Sequence, residues 1–321
     1  MINWAVIGTG GVATEFTSQF DREAANLYAV YSRTLKKAKE FSEENNFEVF
    51  YDDYEKLLND ENIDIVYIAT PHNTHYKYIK RALENNKNVL AEKSVVLNSD
   101  QLKICMDIAE KNELFFAEAM TIHYMPLYLE IKDWIRSKDL GPLKMIQVNF
   151  GSYKEYDQRY FFKKELAGGA LFDIGIYAIN FVRYFLSSKP TEVKSLVNIH
   201  EYGVDESSAI ILKNKDEELA TISLTFRSKM PKRAVVAYER GYIEIDDYPS
   251  ADEALFVDKD GNKDVLKLGD KYKRFTFEAR YISKLLENNK SNKYMQYTVD
   301  TIEIMDELRN QWNLKYADEE I

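Results

Sequence analysis

Ile2-Asn3-Trp4-Ala5-Val6-Ile7-Gly8-Thr9-Gly10-Gly11-Val12-Ala13 is the stretch on which the fold turns. Its apolar start, up to Gly8, suits a buried parallel strand. Helical patterning follows from Val12 to about Phe20. Between them, Gly8-Thr9-Gly10-Gly11-Val12-Ala13 matches G-x-G-x-x-G/A: Gly8 permits the tight turn, Gly10 lets a pyrophosphate approach the backbone, and Ala13 allows close helix–strand packing. The helix start offers N–H donors and a positive dipole end to phosphate. Alone, the motif reads equally as a structural turn. Its setting between strand and helix favours a dinucleotide site.

The same rhythm continues outward. Leu27–Tyr31, Asp64–Ala69, Asn88–Ala91 and Leu114–Ala117 read as strands. Helices are expected from Thr34, as cap, to Asn45, from Thr74 to Asn85 and from Ser99 to Lys111. Alternating strands and helices predict an α/β fold with a doubly wound parallel sheet over residues 1–120. The end of the second strand reads Ser32-Arg33-Thr34, with Lys37 following and no acid for a ribose hydroxyl. Arg and hydroxyl groups there suit a 2′-phosphate, so NADP is expected, with NAD as the alternative. A solvated basic helix start is the plainer reading of the same residues.

Residues 121–321 read differently. Helices are expected at Tyr128–Ser137 and Ala170–Leu186. Strand-like runs then follow in series at Val193–Ile199, Ser208–Leu212, Leu219–Phe226, Ala234–Tyr238, Tyr242–Ile245 and Ala254–Val257, after a first strand at Leu143–Phe150. Consecutive strands predict an α+β domain with a large, mostly antiparallel open sheet. Asp260-Gly261 marks a hairpin turn. Helices at Phe275–Glu287 and Val299–Trp312 close the domain, and the C-terminal helix is expected to pack back on the first domain.

The 321 residues are 45% hydrophobic and 30% charged, a globular mixture. Against 43 Lys and Arg stand 53 Asp and Glu, a net charge of −10 that offers no general attraction for nucleic acid or anionic lipid. The apolar runs fall short of a membrane span, the N-terminus lacks signal-peptide features, and the single Cys105 forms no internal disulfide, so a cytoplasmic location is expected. Four scattered histidines give no metal site at a diagnostic spacing.

Only 12 glycines are used, and six fall in two windows: Gly8, Gly10 and Gly11, then Gly168, Gly169 and Gly175. After the second window, Asp173 and Tyr177 stand four apart on one expected helix, a carboxylate and a phenol fit for proton transfer. A dipole-stabilised Asp and a packed Tyr are the alternative. Two strand-end loops, Thr70-Pro71-His72-Asn73-Thr74-His75 and Glu92-Lys93-Ser94, occupy positions where ligands of parallel sheets bind.

Together these pieces resemble the Gfo/Idh/MocA oxidoreductases over nearly the whole chain. The motifs are Gly8–Ala13, Thr70-Pro71 with His75, Ala91-Glu92-Lys93, and Gly168-Gly169-Ala170-Leu171-Phe172-Asp173-Ile174-Gly175-Ile176-Tyr177. Glu118-Ala119-Met120 and Arg159 through Gly169 look most like the dimeric dihydrodiol and sugar dehydrogenase branch. The resemblance implies a hydride transfer between nicotinamide and a secondary alcohol or carbonyl of a sugar, polyol or cyclic diol. It gives Lys93 contact with substrate hydroxyl and cofactor, Tyr177 the acid/base role and Asp173 that of the orienting carboxylate. His123, Tyr124 and Arg159 are assigned to the substrate side. It also implies a homodimer or larger homo-oligomer. A non-catalytic sugar or cofactor sensor and an NAD-dependent glycoside hydrolase are the rival readings. Ser94 stands where the family usually has proline, and His123 where that branch commonly has arginine.

Overall fold

The computed structural model describes residues 1–156 and 160–319; Arg159 lies outside them. The chain divides into two compact units, one of residues 1–120 with 273–295, the other of residues 121–272 with 296–319.

In the first unit, β1 (Asn3–Ile7), β2 (Asn26–Tyr31), β3 (Val49–Tyr51), β4 (Ile65–Ile68), β5 (Asn88–Glu92) and β6 (Phe116–Ala119) form one sheet in the order β3-β2-β1-β4-β5-β6. All five pairings are parallel. Apart from Asn3, the residues of β1 and β4 are hydrophobic and fully buried, as a sheet covered on both faces requires. The order reverses between β1 and β4, where open α/β sheets take ligands at the strands' carboxyl ends. β3 and the short helix Tyr54–Leu58 were not expected. β3 has three edge residues, none buried, too few for a periodic signal. Thr34 holds the N-cap position of helix Leu35–Asn45, but its side chain makes no capping bond.

It is the penultimate helix, Arg274–Glu287, and not the last, that belongs to this unit. Phe275 meets Phe16 edge-on at 5.7 Å, and Trp4 Nε1 donates to Ser283 Oγ at 3.0 Å. A buried indole needs such an acceptor, which ties the helix to β1.

In the second unit, β7 (Leu143–Gly151), β8 (Pro190–Ile199), β9 (Asp205–Asn214), β10 (Leu219–Thr225), β11 (Met230–Tyr238), β12 (Gly241–Asp246), β13 (Glu253–Asp258) and β14 (Lys263–Lys267) form a sheet in the order β14-β13-β12-β11-β7-β10-β9-β8. β7 pairs with β10 in parallel, and the other neighbours are antiparallel. β14 was not expected, being an edge strand with one half-buried residue. It follows the Asp260-Gly261 turn, where Gly261 has φ +84°. Ala220, Ile222 and Leu224 alternate with Thr221 and Ser223 along β10, the first set buried and the second half-exposed.

One stretch, 164–185, is long and apolar enough by composition to cross a bilayer, which the reading of short apolar runs overlooked. Its most apolar window is 78% buried inside the protein. Its helical part, from 171 to 185, lies in the core of this unit.

Candidate active site

In the first unit, the glycine turn after β1 shows two kinds of necessity. Gly8 has φ +112°, and a Cβ there would lie 2.5 Å from Ala69 O. The backbone itself therefore demands glycine at this position. A Cβ at Gly10 or Gly11 would meet nothing within 4 Å. Packing does not explain those two glycines, whereas the close approach of a pyrophosphate does. Helix Gly11–Gln19 opens without a side-chain cap or an acid in its first turn, so its N–H groups suit an anion. Ala13 is fully buried, and Val12 is exposed. The residues thus fit a dinucleotide.

At the end of β2, Ser32 is buried with its hydroxyl 3.5 Å from that of Thr9. Arg33, Thr34 and Lys37 are exposed, and Arg33 forms no ion pair among the described residues. After β4, helix His72–Glu84 begins two residues earlier than expected, with Pro71 at its N-cap and His72 and Asn73 in its first turn. The Thr74 hydroxyl lies 2.8 Å from both the Thr70 hydroxyl and Pro71 O, donating to the carbonyl. His75 sits behind this loop. It is fully buried, with Nδ1 2.8 Å from Ser94 O and Nε2 2.7 Å from Thr70 O. It joins the two strand-end loops instead of presenting a face to a ligand.

From Val89 to Leu97 every residue is buried except Lys93. The turn that carries Lys93 is braced on several sides. Glu92 accepts from Lys93 N at 3.3 Å and from the Tyr67 hydroxyl; burial pushes its carboxyl up. Ser94 is fully buried and donates to Val96 O at 2.8 Å, and the Lys93–Ser94 peptide is cis. Val95 N donates to Glu118 Oε1 at 3.1 Å. Glu118, noted in the sequence only as part of a motif, is a buried brace of the lysine turn.

In the second unit, every residue from Ala167 to Val182 is buried except Asp173 and Tyr177. One π-helical turn, Leu171–Gly175, leads into the α-helix Ile176–Phe185, and Asp173 lies within that turn. Such turns recur at functional sites. Gly168 and Gly169 precede it where side chains do not fit: a Cβ on Gly168 would lie 2.5 Å from Tyr160 O, and one on Gly169 would overlap the Asp205 carboxyl. Lys154, which the sequence did not single out, stands 3.9 Å from Asp173 Oδ2 and lies over the Phe161 ring at 3.8 Å.

His123 and Tyr124 are buried in the same unit. The His123 ring stacks on Tyr297 at 5.4 Å and lies 6.0 Å from Tyr184; Lys132 covers the Tyr184 ring at 4.0 Å. Burial, helped by the Lys132 charge, pushes the His123 imidazole down to about 3, so it is neutral. Cys105 is buried, and burial pushes its thiol up to about 12, the opposite of an activated nucleophile.

Comparison with known proteins bears on both units. Residues 2–119 match the oxidoreductase family with NAD-binding Rossmann fold of the Gfo/Idh/MocA group, and residues 128–244 match a C-terminal domain of the same group. The trans-1,2-dihydrobenzene-1,2-diol dehydrogenase of Xenopus laevis is 33% identical over 258 residues, covering 79% of this chain and 78% of the relative. The enzyme of that name from Homo sapiens is 27% identical over 76% of this chain and 74% of its own. Among solved structures, a levoglucosan dehydrogenase in complex with NADH and levoglucosan superposes with a TM-score of 0.87 at 16% identity, over 98% of each chain. A 3-ketoreductase from Actinomadura kijaniata in complex with NADP and TDP-benzene gives 0.85 at 19% identity, over 96% of this chain and 97% of that one. The glycine turn, the half-buried lysine after β5 and the Asp173–Tyr177 pair are thus found in a chain that belongs to the Gfo/Idh/MocA oxidoreductase family.

Proposed function

We propose that this oxidoreductase transfers a hydride between C4 of a nicotinamide cofactor, preferentially NADP(H), and a secondary alcohol or carbonyl carbon of a sugar, polyol or cyclic diol. One observation carries the reading. In two otherwise buried stretches, 89–97 and 167–182, the side chains left unburied are Lys93, Asp173 and Tyr177. An ammonium, a carboxylate and a phenol are what alcohol oxidation needs beside its hydride acceptor.

The bound cofactor supplies the hydride acceptor or donor. Gly8 to Ala13 cradle its pyrophosphate, and Ser32, Arg33, Thr34 and Lys37 meet the adenosine ribose and its phosphate. Tyr177 takes the hydroxyl proton during oxidation and returns it during reduction. A phenol titrates near ~10, so this base needs a cation to favour its phenolate, the role assigned to Lys93. Asp173 accepts from a neighbouring substrate hydroxyl. Its pairing with Lys154 leaves little net charge there, which suits a neutral polyhydroxylated ring better than a 2-hydroxy acid. The named relatives, which act on diols and sugar derivatives, support the same class.

The reading also includes a homo-oligomer and a cytoplasmic location. Across the sheet, Ile211, Thr221, Gln147, Val235, Glu244, Leu255 and Val265 fall in one row by strand register, and none of them is buried. A second copy is the natural cover for so wide a mixed face. Light scattering at micromolar concentration would return a monomer if this is wrong.

Turnover is tested by absorbance of reduced nicotinamide over a panel of polyols, aldoses and cyclic diols. Wild-type protein should turn over at least one, and Tyr177→Phe and Lys93→Met should not. No turnover of any, or wild-type rates in both variants, refutes the reading.

A further inference from the structure

Asp205, the first residue of β9, is fully buried. Its Oδ2 accepts from Leu171 N at 2.7 Å. Its Oδ1 has no hydrogen-bond partner among the described residues and occupies the space a Cβ on Gly169 would take. Among the described residues no cation pairs with this buried carboxyl, a costly state whose placement calls for an explanation. The Tyr316 hydroxyl closes the other side of the same turn, donating to Gly168 O at 2.6 Å.

We propose that Asp205 is a positioning residue for catalysis: seated on the N–H groups that open the 171–185 helix and against the glycine pair, it sets where Asp173 and Tyr177 stand. This rests on the oxidoreductase reading of those two residues. The second glycine of the pair is then needed for a stated reason: any side chain at 169 displaces the carboxyl that fixes the helix start.

Burial pushes the Asp205 carboxyl up to about 7, against the pull of the N–H groups of Leu171, Asp205 itself and Ala170. Its charge therefore changes in the neutral range. The helix turn facing it carries no titratable side chain before Asp173. From the C-terminal segment Tyr316 faces it, with Arg309 and Glu319 beyond, and burial holds the Tyr316 phenol above its ordinary range. On its own strand Glu206 is engaged with the Tyr156 hydroxyl. When Asp205 is ionised, the helix start is held by a charge-assisted bond; when it is protonated, that hold weakens.

The test compares wild type with Asp205→Asn, which keeps the shape and removes the charge. On the alkaline side, kcat is expected to fall by about ten- to a hundredfold, as small misplacements of reacting groups do. The neutral inflection that Asp205 contributes to the pH profile of kcat should vanish, while NADP affinity, a property of the first unit, stays unchanged. Wild-type kcat with an unaltered pH profile would overturn the proposal. Should Asp205→Asn not fold, Gly169→Ala is measured for the same loss, and wild-type turnover in that variant would overturn it equally. If no substrate is turned over at all, the oxidoreductase reading is what fails. Amide exchange of residues 171–176 then reads Asp205 directly: protection in wild type should rise through neutral pH and stay flat in Asp205→Asn, and equal pH dependence in both refutes its role.

Discussion

The Lys154 ammonium stands 3.9 Å from the Asp173 carboxylate, both side chains largely shielded from water. A pair so placed is screened less than one on the surface, so each charge conditions what the other can bind. Lys154 is held from below by the ring of Phe161. Losing it removes a cation from beside Asp173, so the carboxylate meets substrate less neutralised and less fixed in rotamer. Lys154→Met is expected to lower kcat/KM for a neutral polyol by roughly five- to thirtyfold, about 1–2 kcal/mol. Steady-state kinetics with unchanged kcat/KM would show that the pair is only structural.

Arg33 is exposed at the end of β2, beside the buried Ser32 hydroxyl. Its contact with a 2′-phosphate would be charge-assisted, worth ~1.5–3 kcal/mol. Arg33→Ala should therefore weaken NADP(H) binding by roughly tenfold to a hundredfold and leave NAD(H) nearly unchanged. Fluorescence titration with both cofactors decides it, and equal weakening of the two refutes the phosphate contact.

Two glycines in one turn are expected to fail differently. Gly8→Ala places a Cβ 2.5 Å from Ala69 O at a φ of +112°, so it should lower Tm markedly and abolish cofactor binding with it. Gly10→Ala adds a methyl into open space at φ −88°, which any residue adopts. Its Tm should stay near wild type while cofactor affinity drops at least about tenfold, because the methyl stands where the pyrophosphate must come. An affinity unchanged in Gly10→Ala would move the pyrophosphate elsewhere.

Much of this was legible in the sequence because it is local. Strand, glycine turn and helix occupy consecutive residues, and β1 after Asn3 and all of β4 are hydrophobic, as a sheet covered on both faces requires. Asp173 and Tyr177 stood out as polar residues in an apolar run. What stayed hidden depends on contacts distant in sequence. Lys154 meets Asp173 across 19 positions of the chain and Asp205 meets Leu171 across 34, and neither lysine nor aspartate carries a pattern that says so. The return of helix Arg274–Glu287 to the first unit rests on contacts such as Trp4 to Ser283, Phe16 to Phe275 and Glu15 to Arg274, all more than 250 positions apart. β3 and β14 are short and exposed, so burial imposed no period on them.

His123 is neutral because burial drives its imidazole down to about 3. Its ordinary value is 6.5, so the unfolded chain takes up a proton that the native ring refuses. The native state therefore loses stability through this residue as pH falls below about 6.5 and goes on losing it towards about 3. His123→Phe keeps a ring against Tyr297 and removes the titration. Its Tm should decline less steeply than wild type over that acid range, and parallel declines would show that His123 is not responsible.

Asp205 should act with the opposite sign. Its native carboxyl titrates near about 7, above the ordinary 3.8, so between these values the native state holds a proton that the unfolded chain has released. That contribution is complete below about 3.8 and is lost as pH rises through about 7. At neutral pH the charge thus costs stability, even though its bond to Leu171 N fixes the helix that carries Tyr177. Asp205→Asn abolishes the proton linkage but replaces an acceptor-only group with an amide that also carries donors. Its Tm difference from wild type should accordingly shift in its favour from acid to neutral pH, while kcat shifts against it. Stability and turnover moving in opposite directions in one variant is the mark of a group retained for positioning at a cost in stability. Thermal melts at several pH values, run beside the kinetic profile, check both halves. A Tm difference that does not vary with pH would mean that the carboxyl ionises in its ordinary range, and that the helix start is held without any change of charge.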